Sequence, residues 1–128
     1  MAECHALGVR VSLFMDPRPE MMEAARAVGA DRIELYTEAY AAAFTSARCV
    51  PVLAEYQAAA GEARRLGVGI NAGHDLDLQN LPLFLGIGGV LEVSIGHALT
   101  IECIEFGMET VIARYLAICR DGGRVPAA

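Results

Sequence analysis

Three places along the chain combine residue types capable of acid–base or anion-binding chemistry. In Asn71-Ala72-Gly73-His74, a glycine permits a sharp turn just past an apolar run and sets an imidazole at the mouth of whatever lies beyond. An imidazole titrates near neutral pH, so His74 can protonate a leaving hydroxyl or phosphate, or deprotonate a carbon next to a carbonyl. Glu34 lies within Arg32-Ile33-Glu34-Leu35-Tyr36. Side chains of a strand alternate, so Ile33 and Leu35 face one way while Arg32, Glu34 and Tyr36 face the other. If that polar face lines a barrel, the carboxylate is partly desolvated and suits proton transfer or the stabilisation of a cation. Gly96-His97 closes another apolar run and opens a helix, where free backbone N–H groups and the helix dipole favour a phosphate. Each motif also has a plainer reading: an exposed strand glutamate paired with Arg32, a loop histidine bonded to backbone, and a glycine chosen for turn geometry.

These residues need a scaffold, and the hydrophobic pattern supplies one. Four runs rich in β-branched residues, 9–15, 32–36, 68–72 and 90–95, read as strands. Leu7-Gly8, Val28-Gly29, Leu66-Gly67 and Gly88-Gly89 precede them in turn, each glycine reading as a helix C-cap that turns the chain into the next strand. Helical spacing covers 19–28, 50–66 and 97–120, with Gly107 kinking or splitting the last, and 77–85 reads as a short helix or turn. Strand and helix alternate four times, which predicts an α/β fold: a parallel sheet with helices packed outside it. Ligands of such sheets sit at the carboxyl ends of the strands, where Asp16, Thr37-Glu38, His74 and Gly96-His97 fall. Met21, Met22, Phe14, Phe44, Phe84 and Phe106 are expected in the core. Residues 1–128 read as one domain, with 121–128 a frayed tail.

Composition removes several functions. The chain has 128 residues, a formal net charge of −6, and is 55% hydrophobic and 20% charged, which excludes disorder. All ten of its basic residues are arginine. A Schiff-base enzyme and a P-loop both need the lysine it lacks. An acidic chain without a basic run has no field to draw nucleic acid or an anionic membrane. Cys4, Cys49, Cys103 and Cys119 form no CxxC pair and fit no zinc pattern with the scattered histidines. No secretory signal or membrane span is legible, so a cytoplasmic location is expected.

Four segments taken together, Val11-Ser12-Leu13-Phe14-Met15-Asp16, Gly29-Ala30-Asp31-Arg32-Ile33-Glu34-Leu35-Tyr36-Thr37, Asn71-Ala72-Gly73-His74 and Glu92-Val93-Ser94-Ile95-Gly96-His97-Ala98, resemble the carboxyl-terminal half of the pyridoxine 5'-phosphate synthase family. The resemblance implies four consecutive βα units of a (β/α)8 TIM barrel, and a part in vitamin B6 biosynthesis. The family condenses 1-deoxy-D-xylulose 5-phosphate with 3-amino-2-oxopropyl phosphate by acid–base steps, with no metal or organic cofactor. Carried over, His74 becomes the proton donor, Glu34 a carboxylate stabilising the transition state, and Gly96 and His97 a phosphate-binding pair. Asp75 takes a substrate-contacting position where the family usually has glycine, and Tyr36, Glu38, Gln79 and Glu102 also depart from its usual residues. The implied partners are small phosphorylated substrates and pyridoxine 5'-phosphate, with no nucleic acid and no membrane. The family's amino-terminal half, with four strands and further acid–base residues, is expected to be missing, leaving the isolated chain incomplete. Half a barrel has two open edges and an uncovered face, which implies a homo-oligomer or pairing with a complementary half barrel. The alternative is a small phosphate-ligand binding or regulatory α/β module without catalysis.

Overall fold

The computed structural model describes residues 1–122. Its elements run α1 (Ala2–Ala6), β1 (Ser12–Met15), α2 (Pro19–Ala27), β2 (Arg32–Tyr36), α3 (Glu38–Ala43), α4 (Cys49–Arg65), β3 (Gly69–Gly73), α5 (Leu81–Leu85), β4 (Val90–Ser94), α6 (His97–Phe106) and α7 (Met108–Asp121). The four strands form one parallel sheet in the order β1-β2-β3-β4. This is the α/β fold of four successive βα units, as in part of a TIM barrel.

The glycines before the strands act as expected. Gly29 and Gly67 have φ of 81° and 71°, and the residues after them close six-residue turns: Ala30 N–H donates to the Ala25 carbonyl at 3.0 Å, and Val68 N–H to that of Ala63 at 2.9 Å. These satisfy carbonyls that the helix end leaves free and aim the chain back along the sheet. In the segment 19–27, Pro19 stands at the helix start, where its missing N–H costs nothing.

One face of the sheet is apolar. Ile33, Leu35, Ile70 and Ala72 are buried together with Met22 and Ala25 of α2 and with a stripe of α4, Val52, Tyr56, Ala59, Ala60 and Ala63, whose spacing is helical. Tyr40, Tyr56 and Phe84, all fully buried, pack edge-on or tilted at centroid distances of 5.1–6.3 Å. The opposite face carries Phe14, Glu34, Asn71 and Glu92 in one register row. A bulge between Ile70 and Asn71 on the β3–β4 ladder inserts Leu91 without a partner.

Several expectations need correction. The first strand begins at Ser12, because Val9 N–H closes the turn at Gly8 and the Val11 N–H and carbonyl are taken by Asp31. Helices α1 and α3 were not anticipated; α3 fills the long interval between Gly29 and Gly67 with an alanine-rich turn. The expected break at Gly107 is present: at φ 85° it splits the last helical segment into α6 and α7. Phe84 and Met22 are core residues, whereas Phe14 and Phe106 are 67% and 51% exposed. Phe106 instead lies under the Arg114 guanidinium. Asp121 ends α7, with Gly122 as a left-handed cap; the remainder of the expected tail lies outside the described residues. Among the described residues no helix is long and apolar enough to cross a membrane.

Candidate functional site

Register places three of the chemically competent groups on neighbouring strands, Glu34 midway along β2, His74 just past β3 and Gly96 two residues past β4. Tyr36 of β2, Gly73 of β3 and Ser94 of β4 are paired side by side, so Glu34, His74 and Gly96 all lie within two residues of one carboxyl-terminal rim. Glu34 is half-buried and points from the polar face. Its carboxylate extends over Gly73, whose lack of a side chain makes the space for it. Arg32 is not its partner. The Arg32 guanidinium donates through Nη1 to Asn71 Oδ1 and to Glu92 Oε2, each at 2.9 Å, and Arg10 Nη2 reaches the same Glu92 oxygen at 2.9 Å. These groups pair among themselves beside Glu34, which has no ion-pair partner among the described residues.

The segment after β3 carries the imidazole. His74 and Asp75 both have left-handed backbone, with φ of 84° and 58°, a conformation that L side chains adopt only where surroundings impose it. Two buried polar residues impose it. The Thr37 hydroxyl donates to the Gly73 carbonyl at 2.7 Å and also reaches the carbonyl of His74, while Thr37 N–H donates to Gly73 at 3.1 Å. From the other side Asn80 Nδ2 donates to the Asp75 carbonyl at 3.0 Å, and Asn80 Oδ1 accepts the Asp77 N–H at 2.9 Å. Tyr40 in turn donates to the Asn80 carbonyl at 2.7 Å. Thus the core aromatic cluster, through Asn80, and the end of β2, through Thr37, hold the turn that presents His74.

The imidazole itself is exposed, with Nδ1 at 2.9 Å from Asp75 Oδ2 and the Tyr36 ring against it at a centroid distance of 4.6 Å. The Tyr36 phenol is held above its ordinary pKa, chiefly by hydrogen bonding to the Glu38 carboxylate, then by desolvation and the charges of Glu38 and Asp75. Tyr36 therefore stays a neutral hydroxyl at physiological pH. Gly96 caps α6, and the space where its side chain would stand is open for at least 4 Å. His97 follows as the first residue of that helix and is exposed. A shallow hollow at the same end of the sheet, about 380 Å³, is lined by Phe14, Met15, Asp16, Met21 and Tyr36. It lies beside Glu34 and His74 without including them.

The residues that hold this turn carry weaker sequence signals than the residues it presents. Thr37 was noted only as polar and Asn80 not as a brace, although Asp77 and Asn80 at that spacing are an Asx-turn signal: Asp77 Oδ1 accepts the N–H groups of Gln79 and Asn80 at 2.8 Å. Glu102 is a second missed brace, bound to Leu78 N–H at 3.1 Å and to the Tyr115 hydroxyl at 2.5 Å.

Comparison with known proteins adds a family. A family model described as "Pyridoxal phosphate biosynthesis protein PdxJ" matches residues 1–121. The pyridoxine 5'-phosphate synthase of Albidiferax ferrireducens is 50% identical over 123 residues, covering 95% of this chain and 49% of that protein. Those of Xanthomonas campestris pv. campestris and Cytophaga hutchinsonii are 50% and 52% identical over 99% and 85% of this chain, and 50% and 46% of their own lengths. The chain spans about half the length of the curated relatives it matches. With the family model covering nearly all of it and the strand order agreeing, the chain belongs to the PdxJ family of pyridoxal phosphate biosynthesis proteins.

Proposed function

We propose that this chain carries one half of a pyridoxine 5'-phosphate synthase site in vitamin B6 biosynthesis, working in the cytoplasm on 1-deoxy-D-xylulose 5-phosphate and 3-amino-2-oxopropyl phosphate. The observation that supports the reading is the shared rim of β2, β3 and β4, toward which the Glu34 carboxylate reaches over Gly73 and just beyond which His74 and Gly96 follow. In this reading the His74 imidazolium gives a proton to a departing oxygen. Glu34, half-buried and without an ion-pair partner among the described residues, stabilises the positive charge that develops on the imine. The amides at the start of α6, with His97, hold a phosphate group. Asp75 lies where substrate passes. The chemistry calls on no metal or organic cofactor, only on protons already at the rim.

We propose further that a partner closes the cavity. Strands β1 and β4 are open edges, and a barrel interior needs strands beyond both. A complementary half barrel, or another copy of this chain, completes the cavity. Isothermal titration with pyridoxine 5'-phosphate tests the first proposal. Binding that weakens about tenfold or more in His97→Ala supports the phosphate site, and no binding at millimolar ligand overturns it. Turnover of the two substrates, measured with the chain alone and with the amino-terminal half of a relative, tests catalysis. Activity that His74→Ala abolishes is expected, while binding with no turnover in either mixture assigns a binding module instead.

A further inference from the structure

The hydrogen bond between His74 and Asp75 joins the only two non-glycine residues with left-handed backbone among the described residues. A neutral imidazole carries one proton, and the bond made by one ring nitrogen decides which nitrogen holds it. An ionised carboxylate only accepts. With Asp75 Oδ2 at 2.9 Å from Nδ1, that nitrogen must be the protonated one, and Nε2, which makes no hydrogen bond among the described residues, is left with the free lone pair.

We infer that Asp75 is a positioning residue for His74, fixing the imidazole in the Nδ1–H tautomer so that Nε2 is the atom that takes up and gives back the proton. Exposed ion pairs are weak when two long side chains must be ordered to meet. Here both side chains are short, their residues are adjacent, and Thr37 and Asn80 already lock the backbone that carries them. The Tyr36 ring against the imidazole restricts its rotation further. Proton traffic then runs through one nitrogen: Nε2–H of the imidazolium passes its proton to an oxygen, and the ring returns to the neutral Nδ1–H form with Asp75 unchanged. The catalytic meaning of this arrangement rests on the synthase reading; the hydrogen bond itself does not.

The test is made without substrate on the full chain labelled with 15N-histidine. At a pH where the ring is neutral, the two ring nitrogens report by their 15N shifts which one is protonated, and the His74 signals are identified by their loss in His74→Gln. Wild-type His74 is expected in the Nδ1–H form. Asp75→Gly removes the carboxylate and keeps a left-handed backbone at no steric cost, so the chain still folds and the tautomer ratio reverts toward the Nε2–H form that free imidazole prefers. Asp75→Asn replaces an obligate acceptor with an amide that can accept from or donate to Nδ1, so the Nδ1–H fraction falls here too, by less than in Asp75→Gly. A wild-type ring already in the Nε2–H form, or a ratio that neither variant moves, overturns the inference. Failure of pyridoxine 5'-phosphate to bind would leave these spectra unchanged, so the two readings fail separately.

Discussion

The Glu34 carboxylate occupies the space that a side chain on Gly73 would need: a Cβ built there collides with Glu34 Oε1 and comes within 3.1 Å of Ser94 Cβ. Gly73 has no positive φ, so it is required for this approach and not for its backbone. Gly73→Ala is expected to swing the Glu34 carboxylate off the rim and to cost about 1–3 kcal/mol of stability through overpacking. Thermal unfolding reads the second effect and calorimetric binding of pyridoxine 5'-phosphate the first. Unchanged binding and stability would show that the carboxylate has room elsewhere.

Thr37 is fully buried and its hydroxyl serves two carbonyls at the start of the strained turn. Thr37→Val keeps the shape and the backbone bond from residue 37 to the Gly73 carbonyl but removes the hydroxyl donor, leaving the His74 carbonyl short of a partner at a cost of about 1–3 kcal/mol. Amide exchange at residues 74–77 should accelerate with it, whereas Thr37→Ser should behave as wild type. Equal exchange in all three would place the restraint wholly on Asn80.

How much of this was legible before the structure depended on whether the signal was local. The second strand was read to the residue because alternation in Arg32-Ile33-Glu34-Leu35-Tyr36 and the turn at Gly29 are both local. The first was read three residues too long, since Val9 to Val11 look like strand but spend their backbone groups on the Gly8 turn and on Asp31, a partner twenty residues away. Phe14 was placed in the core because an aromatic on a strand is more often buried; it faces the side of the sheet that the helices leave bare. The positions of His74 and Gly96 past their strands, and of Glu34 on the polar face of β2, were legible because strand bounds and alternation are local. Asp75 and Thr37 act through the left-handed backbone at 74–75, which no spacing announces, whereas the Asp77–Asn80 spacing does signal the turn that Asn80 braces.

Tyr56 lies deep in the aromatic cluster, and burial pushes its phenol up to about 12; Tyr40 and Tyr115 are raised in the same direction, also chiefly by burial. The unfolded chain titrates near the ordinary tyrosine value of 10.0. A raised folded pKa means the folded state keeps protons that the unfolded state loses. The stabilisation is complete below about pH 10 and disappears as pH climbs toward 12. Tyrosinate absorbance and helical circular dichroism should therefore change together on alkaline titration, and Tyr56→Phe, which also loses the hydrogen bond donated to the Tyr36 carbonyl at 2.7 Å, should lower stability at neutral pH but flatten its fall above about pH 10. Tyrosinate appearing well before the loss of helix would contradict the coupling.

At the acid end Asp31 is the group to watch. Its carboxylate accepts the Val11 N–H at 2.7 Å and meets His5 Nε2 at 2.8 Å, tying α1 and the entry to β1 against β2. Val11 first and His5 second hold its pKa below the ordinary 3.8. Its contribution is present above that ordinary value and is lost as pH falls through the lower folded one. Amide exchange of Val11 should rise in that window while the strand interior stays protected, and Asp31→Ala should reproduce the loosening at neutral pH. Protection of Val11 that survives Asp31→Ala would mean the turn at Gly8 holds this segment alone.

The open edges carry the last prediction. Phe14 on β1 and Leu91 on β4 stand at opposite ends of the sheet, 67% and 63% exposed, and Ile104 and Met108 add 81% and 66% exposed side chains on α6 and α7. Soluble monomers guard an edge strand with charge, and this one presents an aromatic ring. The chain at micromolar concentration is expected to sediment above its monomer mass or to bind a hydrophobic dye, and the complementary half of a relative should suppress both. Phe14→Lys places a charge on the β1 edge at a position where little is buried, so folding stability should change by no more than about 0.5 kcal/mol. Association should fall with it. A wild-type chain that sediments as a dye-free monomer would remove the need for a partner across these edges, and a Phe14→Lys chain that associates as before would move the contact to the exposed faces of α6 and α7.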